Sequence, residues 1–158
     1  MKDRVRENQE ESAVRLFRAL LRAGMAVGGE VRPLFHEHGI TPPQWDVLQA
    51  LAAAGPGGMM LSDIGQRLLV SCGNITGLVD RLEEAGLVER SDDPQDRRVV
   101  LAALTERGRE VHDQVRPEYR ARVLAQLGSW EPERQAELTE TLERLAAEVL
   151  AKRATSAE

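Results

Sequence analysis

The apolar positions of this chain recur at three- and four-residue spacing through most of its length, and they run consecutively in one short stretch past the middle. The first pattern predicts helices. Residues 10–38 carry Val14, Phe17, Leu20, Leu21 and Met25 on one face, with Gly24, Gly28, Gly29 and Pro33 expected to kink or interrupt the second half. Thr41-Pro42-Pro43-Gln44 has the form of a capping box with proline in the first turn, opening a helix that aligns Trp45, Leu48 and Leu51. Gly55-Pro56-Gly57-Gly58 ends it. Ser62 is placed to cap a short helix aligning Leu61, Ile64 and Leu68, and Ser71 to cap a second that buries Ile75, Leu78, Val79 and Leu82. Gly86 suits the left-handed position after that helix, with Leu87 packing back on the last turn. Further on, Thr105 can cap a helix carrying Val111, Val115, Tyr119 and Val123, bent at Pro117, and a last helix from Pro132 shows Leu138, Leu142, Leu145 and Val149.

The consecutive stretch belongs to a hairpin. Residues 87–90 and 98–104 read as its strands, and Ser91-Asp92-Asp93-Pro94-Gln95-Asp96 as turn chemistry unsuited to a strand interior. Two short helices followed by a charged hairpin have the layout of a winged helix-turn-helix, which sets one helix in the major groove of DNA and a β-loop beside it. The fold class expected is therefore mainly α with a small β-hairpin wing, flanked by N- and C-terminal helices. The outer face of the second short helix suits a groove: Gly73, Asn74, Thr76, Gly77, Asp80 and Arg81 are small or polar. Ser71, Asn74 and Thr76 can reach phosphates or base edges, Asn74 can bridge an adenine, and Ser62 joins this set from the first short helix. Arg81 can bind a phosphate, with Asp80 and Glu84 as competing partners. At the wing, Arg98 is the candidate for the minor groove, Asp96 its positioning partner, and Arg97 a phosphate contact.

Composition pulls the other way. The formal charge is -5, and between Leu61 and Leu101 five arginines face eight Asp and Glu, so any positive stripe must come from Arg67, Arg81, Arg90, Arg97 and Arg98 alone. At 158 residues the chain suits one domain. It has no apolar run of membrane-spanning length and no signal-peptide pattern, so a cytoplasmic location is expected. The lone Cys72 excludes an internal disulfide, and His36, His38 and His112 make no compact metal set, so they are expected at the surface or in caps. No phosphate loop, nucleophile elbow or acid/base constellation is present; neither an enzyme nor a cofactor is expected.

The pattern Asp96-Arg97-Arg98, an apolar strand from Val99 to Ala103 and then Leu104-Thr105-Glu106-Arg107-Gly108 resembles the wing of the MarR family of bacterial transcriptional regulators. Ile40-Thr41-Pro42-Pro43-Gln44-Trp45-Asp46-Val47-Leu48 resembles the same family's approach to its DNA-binding module. The resemblance spans nearly the whole chain and implies a single MarR-type domain over 1–158. Within it, 41–104 is the winged helix module, and 10–38 and 105–153 are dimerisation helices. The apolar stripes of the terminal helices need partners in any case, and intertwining between two subunits buries them, the alternative being a bundle within one chain. A homodimer on a double-stranded operator predicts a pseudo-palindrome with half-sites one helical turn apart.

The resemblance also implies a repressor released by a small aromatic or phenolic ligand, held between the dimer helices and the DNA module. There His36, Trp45, Asp46 and Arg90 would supply an aromatic wall and polar anchors. Trp45, Asp46 and Arg90 match positions of the urate-responsive branch, but Leu78 stands where that branch has arginine. Two alternatives come from the residues themselves. Cys72 beside the helix start could act as a redox sensor, because the partial positive charge there favours thiolate. The same helices could instead form a protein-binding adaptor that ignores DNA.

Overall fold

The computed structural model describes residues 2–93, 96 and 98–155. Among them six helices and three strands follow in the order α1 (Lys2–Glu37), α2 (Pro42–Ala54), β1 (Met59–Met60), α3 (Leu61–Leu68), α4 (Cys72–Glu84), β2 (Val88–Asp92), β3 (Val100–Leu104), α5 (Glu106–Leu127) and α6 (Pro132–Thr155). This is the mainly α, winged helix-turn-helix architecture that the pattern predicts. The strands form one antiparallel sheet in the order β1-β3-β2, with Arg90 opposite Ala102 and Met59 opposite the same residue from the other side.

The core lies where α2 meets α3, α4, the sheet and the facing ends of α1 and α5. Leu34, Val47, Leu48, Ile64, Val79, Leu82, Ala102 and Val115 are all fully enclosed there. Trp45, Leu48 and Leu51 face inward as their spacing predicts, and Ile75, Val79 and Leu82 form the buried side of α4, with Leu78 half-buried at its margin. The outer helices are different. On α1, Val14, Phe17, Leu21 and Met25 are 50–65 % exposed, and on α6 Leu138, Leu142 and Val149 are 41–46 % exposed. Between α5 and α6 an apolar cleft of about 290 Å³ opens, lined by Leu124, Leu127, Trp130, Leu138 and Leu142.

Helix ends follow capping chemistry unevenly. Thr105 caps α5 fully: its Oγ1 accepts from Gly108 N at 2.9 Å and donates to Gly86 O at 2.7 Å. Beyond α4, Gly86 (φ 69°) is left-handed, its N–H donates to Glu83 O, and Leu87 N–H donates to Leu82 O, the paired bonds of a Schellman ending. At α2 the capping box forms as expected, with the Thr41 side chain meeting the Gln44 backbone and Gln44 Oε1 accepting from Thr41 N at 2.8 Å.

Several expectations are corrected. α1 runs unbroken through Gly24, Gly28, Gly29 and Pro33, since proline's φ is already helical and only one bond is lost. Ser62 is not a cap: α3 starts one residue earlier, after Met60, and the Ser62 hydroxyl donates to Asp63 Oδ1 at 3.4 Å. Ser71 does precede α4 in extended conformation, yet its side chain makes no capping bond. Ser91 and Asp92 belong to β2, paired with Leu101 and Val100, and β3 starts at Val100 rather than Arg98. Both lie at the outer end of the hairpin, where side chains point to water and polar residues cost nothing. Strand β1 was unforeseen because two residues carry no periodicity.

One backbone strain stands out in the helix-turn-helix turn. Leu69 adopts the left-handed region at φ 53°, ψ 39°, which costs an L-residue with a Cβ about 1–2 kcal/mol. Its side chain is 37 % exposed and contributes little burial in return. Leu69→Gly is expected to raise stability by about 0.5 kcal/mol after the added entropy of the unfolded chain is subtracted. Urea denaturation of the two proteins checks this, and a lower midpoint for the glycine variant would mean that the isobutyl group packs more than its exposure indicates.

Candidate nucleic-acid interface

The turn that sets α4 against α3 is closed by Leu69 N–H donating to Gln66 O at 3.2 Å and Val70 N–H to Gly65 O at 3.0 Å. With Ile75, Val79 and Leu82 anchored in the core, the opposite side of α4 is left facing solvent. There Gly73, Asn74, Thr76 and Arg81 are exposed and Gly77 half-exposed. Gly73, Asn74, Gly77 and Arg81 line one surface concavity of about 450 Å³ with Pro43 and Val70, so four of the expected contact residues come together. Thr76 lies on the flank toward β2, where its carbonyl accepts from Arg90 Nη2 at 3.3 Å. Among the described residues Arg81 has no ion pair; its expected competitor Asp80 is engaged elsewhere.

The wing supplies the second part. Ser62 and Arg98 line a separate concavity of about 330 Å³ with Met60, Leu61, Val99 and Val100, which places the wing arginine beside the start of α3. Asp96 does position Arg98, but through the backbone. Its Oδ1 accepts from Arg98 N at 3.0 Å, its carbonyl accepts from Val99 N at 2.9 Å, and its own N–H donates to Asp93 Oδ1 at 3.3 Å. The expected grip of the Asp96 carboxylate on a guanidinium is thus replaced by a turn built on that carboxylate. Arg97 lies outside the described residues, as does the side chain of Cys72.

Arg90 joins neither the positive stripe nor a ligand pocket. From the middle of β2 its guanidinium bonds Asp80 Oδ1 at 2.6 Å and Glu83 Oε2, and its backbone N–H donates to Glu83 Oε1 at 3.3 Å. Burial pulls its pKa down, but the hydrogen bonds and charges of Asp80 and Glu83 outweigh that and hold it above its ordinary value. Its charge is offset by these two half-exposed carboxylates on the flank of α4.

The expected ligand residues are similarly redistributed. Trp45 is 1 % exposed, and its indole stacks on His112 at 5.3 Å and 18°, with Phe35 at 5.9 Å and Tyr119 at 5.4 Å. Among the described residues the Trp45 Nε1–H is the buried side-chain polar group without a hydrogen-bond partner. Asp46 sits at the edge of this cluster, where partial burial raises its pKa. Burial, and then the charge of Asp46, raise that of Tyr119. His36 is exposed, and it is its neighbour Phe35 that turns inward. His112, expected at the surface or in a cap, is buried at 7 % exposure, with Nδ1 2.9 Å from Asp113 Oδ1. A signal for it existed: His112, Val115 and Tyr119 are spaced i, i+3, i+7 on one face of α5. Among the described residues no group of histidine, cysteine and carboxylate side chains could hold a metal, and no helix is long and apolar enough to cross a membrane.

Comparison with known proteins places these features. A family model described as the MarR family matches residues 38–99, which run from the end of α1 into the wing. The HTH-type transcriptional regulator YkoM of Bacillus subtilis (strain 168) is 35 % identical over 138 residues, covering 87 % of this chain and 88 % of that protein. Among solved structures, CouR from Rhodococcus jostii RHA1 bound to p-coumaroyl-CoA is 31 % identical with a TM-score of 0.72, covering 81 % of this chain and 89 % of that one. Sco3205 of Streptomyces coelicolor, a MarR family regulator in complex with DNA, is 25 % identical with a TM-score of 0.74, covering 87 % and 86 %. The chain therefore belongs to the MarR family of winged-helix transcriptional regulators, DNA-binding proteins rather than enzymes.

Proposed function

We propose that the protein acts as a single-domain homodimer that binds a pseudo-palindromic operator, represses nearby transcription and is released by a small aromatic or phenolic effector. The observation that carries this reading is the co-location of Gly73, Asn74, Gly77 and Arg81 in one concavity of the exposed α4 face, with Arg98 and Ser62 together in a second. In this assignment α4 enters the major groove and Asn74 reads a base edge. Ser62, Ser71, Thr76, Arg81 and Arg97 meet phosphates, while Arg98 enters the minor groove from a turn held by Asp96. The exposed stripes of α1 and α6 are the dimer surface, because an isolated protomer would leave Phe17, Met25, Leu138 and Leu142 in water. The effector reading draws on CouR's p-coumaroyl-CoA and on the Trp45, Tyr119 and Asp46 cluster at the junction of dimer helix α5 and the DNA module. The reading puts the protein in the cytoplasm with its operator. Neither the redox role of Cys72 nor the helical adaptor has an observation that favours it.

The test is selection of bound duplexes from a random library at near-physiological salt. An enriched inverted repeat with half-site centres about 34–36 Å apart supports the reading. Binding without sequence preference would defeat it. On the selected duplex, Arg98→Ala is expected to cost about 1–3 kcal/mol, read by fluorescence anisotropy. An unchanged affinity would make Arg98 an ordinary surface charge.

A further inference from the structure

We propose that Arg90 is a positioning residue for DNA reading, locking the wing to the recognition helix and covering two carboxylates that the helix would otherwise present near the phosphate backbone. The inference rests on the DNA-binding reading above and goes beyond it by giving a role to a residue that touches no DNA in that reading.

The geometry is a fork between two elements. Asp80 and Glu83 sit on α4, while Arg90 sits on β2 with its side chain 20 % exposed. One guanidinium edge reaches Asp80 Oδ1 and Thr76 O, and Nη1 reaches Glu83 Oε2. Glu83 is used twice, since its other oxygen accepts from the Arg90 backbone. Side chain and main chain of one strand residue are thus tied to three successive positions along the helix. A planar fork with fixed N–H directions can do this, whereas a lysine ammonium on a flexible stem cannot hold all these partners in one geometry.

The position of the fork explains its leverage. Arg90 pairs with Ala102, which is fully buried, so the fork grips the hairpin midway along its strands, at the base of its exposed outer half. Two residues further out, Asp92 pairs with Val100, and the chain then leaves the sheet toward Arg98. A small rotation about that base moves Arg98 relative to α4, and the placement of a base-reading helix and a minor-groove arginine must agree on one duplex. The electrostatics point the same way. The module holds more acidic than basic residues, and Asp80 and Glu83 are half-exposed on the helix that approaches DNA. Pairing both with one arginine removes two repulsive charges from a helix that has Arg81 as its own unpaired cation.

The test compares the affinity penalty of Arg98→Ala on the library-selected duplex in three backgrounds: wild type, Arg90→Met and the double variant Asp80→Asn, Glu83→Gln. The double variant keeps the bulk of Arg90 in place, so it serves if Arg90→Met fails to fold. The penalty is expected to be about tenfold in wild type and to fall below about threefold where the fork is broken, because an unlocked wing no longer delivers Arg98. Amides of β2 and β3 should also exchange with solvent at least about tenfold faster in the broken-fork proteins without DNA. Adding Asp80→Asn and Glu83→Gln to Arg90→Met should recover affinity lost to exposed charge while leaving the Arg98 penalty small. The same Arg98 penalty in all backgrounds, with unchanged exchange, overturns the role of Arg90. A wild-type protein that selects no duplex overturns instead the DNA reading on which it rests.

Discussion

Trp45→Ala is expected to destabilise the protein by about 3–5 kcal/mol, close to the whole stability margin of a small domain. The indole is 1 % exposed and touches three rings from two helices, Phe35 of α1 and His112 and Tyr119 of α5, while its own helix packs against α3, α4 and β3. Removing it opens a cavity that no single neighbour can fill, since the surrounding rings are held in place by two other helices, α1 and α5. The loss should appear in the urea midpoint at fixed protein concentration, which matters because the apparent stability of the proposed dimer would depend on it. Trp45→Phe should recover part of the loss and keep the stack on His112. If the alanine variant lost less than about 1 kcal/mol, the aromatic cluster would be a loose surface feature rather than the joint where α2 meets α1 and α5.

Gly108→Ala is the second large effect, and it explains why Leu104-Thr105-Glu106-Arg107-Gly108 ends in glycine. A Cβ at Gly108 would overlap the carbonyl oxygen of Leu87, a backbone atom that already accepts from Thr105 N at 3.1 Å. The obstacle cannot rotate away as a side chain would. Either α5 moves off the end of β2, breaking the Thr105 cap with it, or the wing base shifts. A cost of about 3 kcal/mol is expected, at the upper end of overpacking penalties. Gly77→Ala is the control in the same urea measurement. A Cβ there meets open space, so the change should stabilise α4 by about 1 kcal/mol through helix propensity. Equal and small effects at both positions would show that the strand-to-helix junction is softer than its geometry implies.

These two positions also divide what was legible in the chain from what was not. Trp45 was readable as core from its spacing with Leu48 and Leu51, and Gly108 as part of a motif, but neither pattern says what lies opposite. Helix identity, the α3–turn–α4 pair, the Gly86 ending and the Thr105 cap were all readable, because each depends on residues within about one helical turn of one another. The same locality made the glycines and Pro33 of α1 misleading. Local weakness predicted a break, while packing along α5, with Arg122 donating to Glu30 O at 2.9 Å, keeps the helix whole.

What only the tertiary structure decided is which charged and aromatic groups meet. Arg90 looked like one more cation in a basic stripe. It is instead held by Asp80 and Glu83, 10 and 7 residues earlier, because the hairpin folds back along α4. His112 looked like a surface histidine until α5 laid it on Trp45, 67 positions away in the chain. Periodicity is enforced by the backbone and shows in any short window of sequence. Partnership depends on how elements far apart in the chain pack together, and that information resides in no single segment.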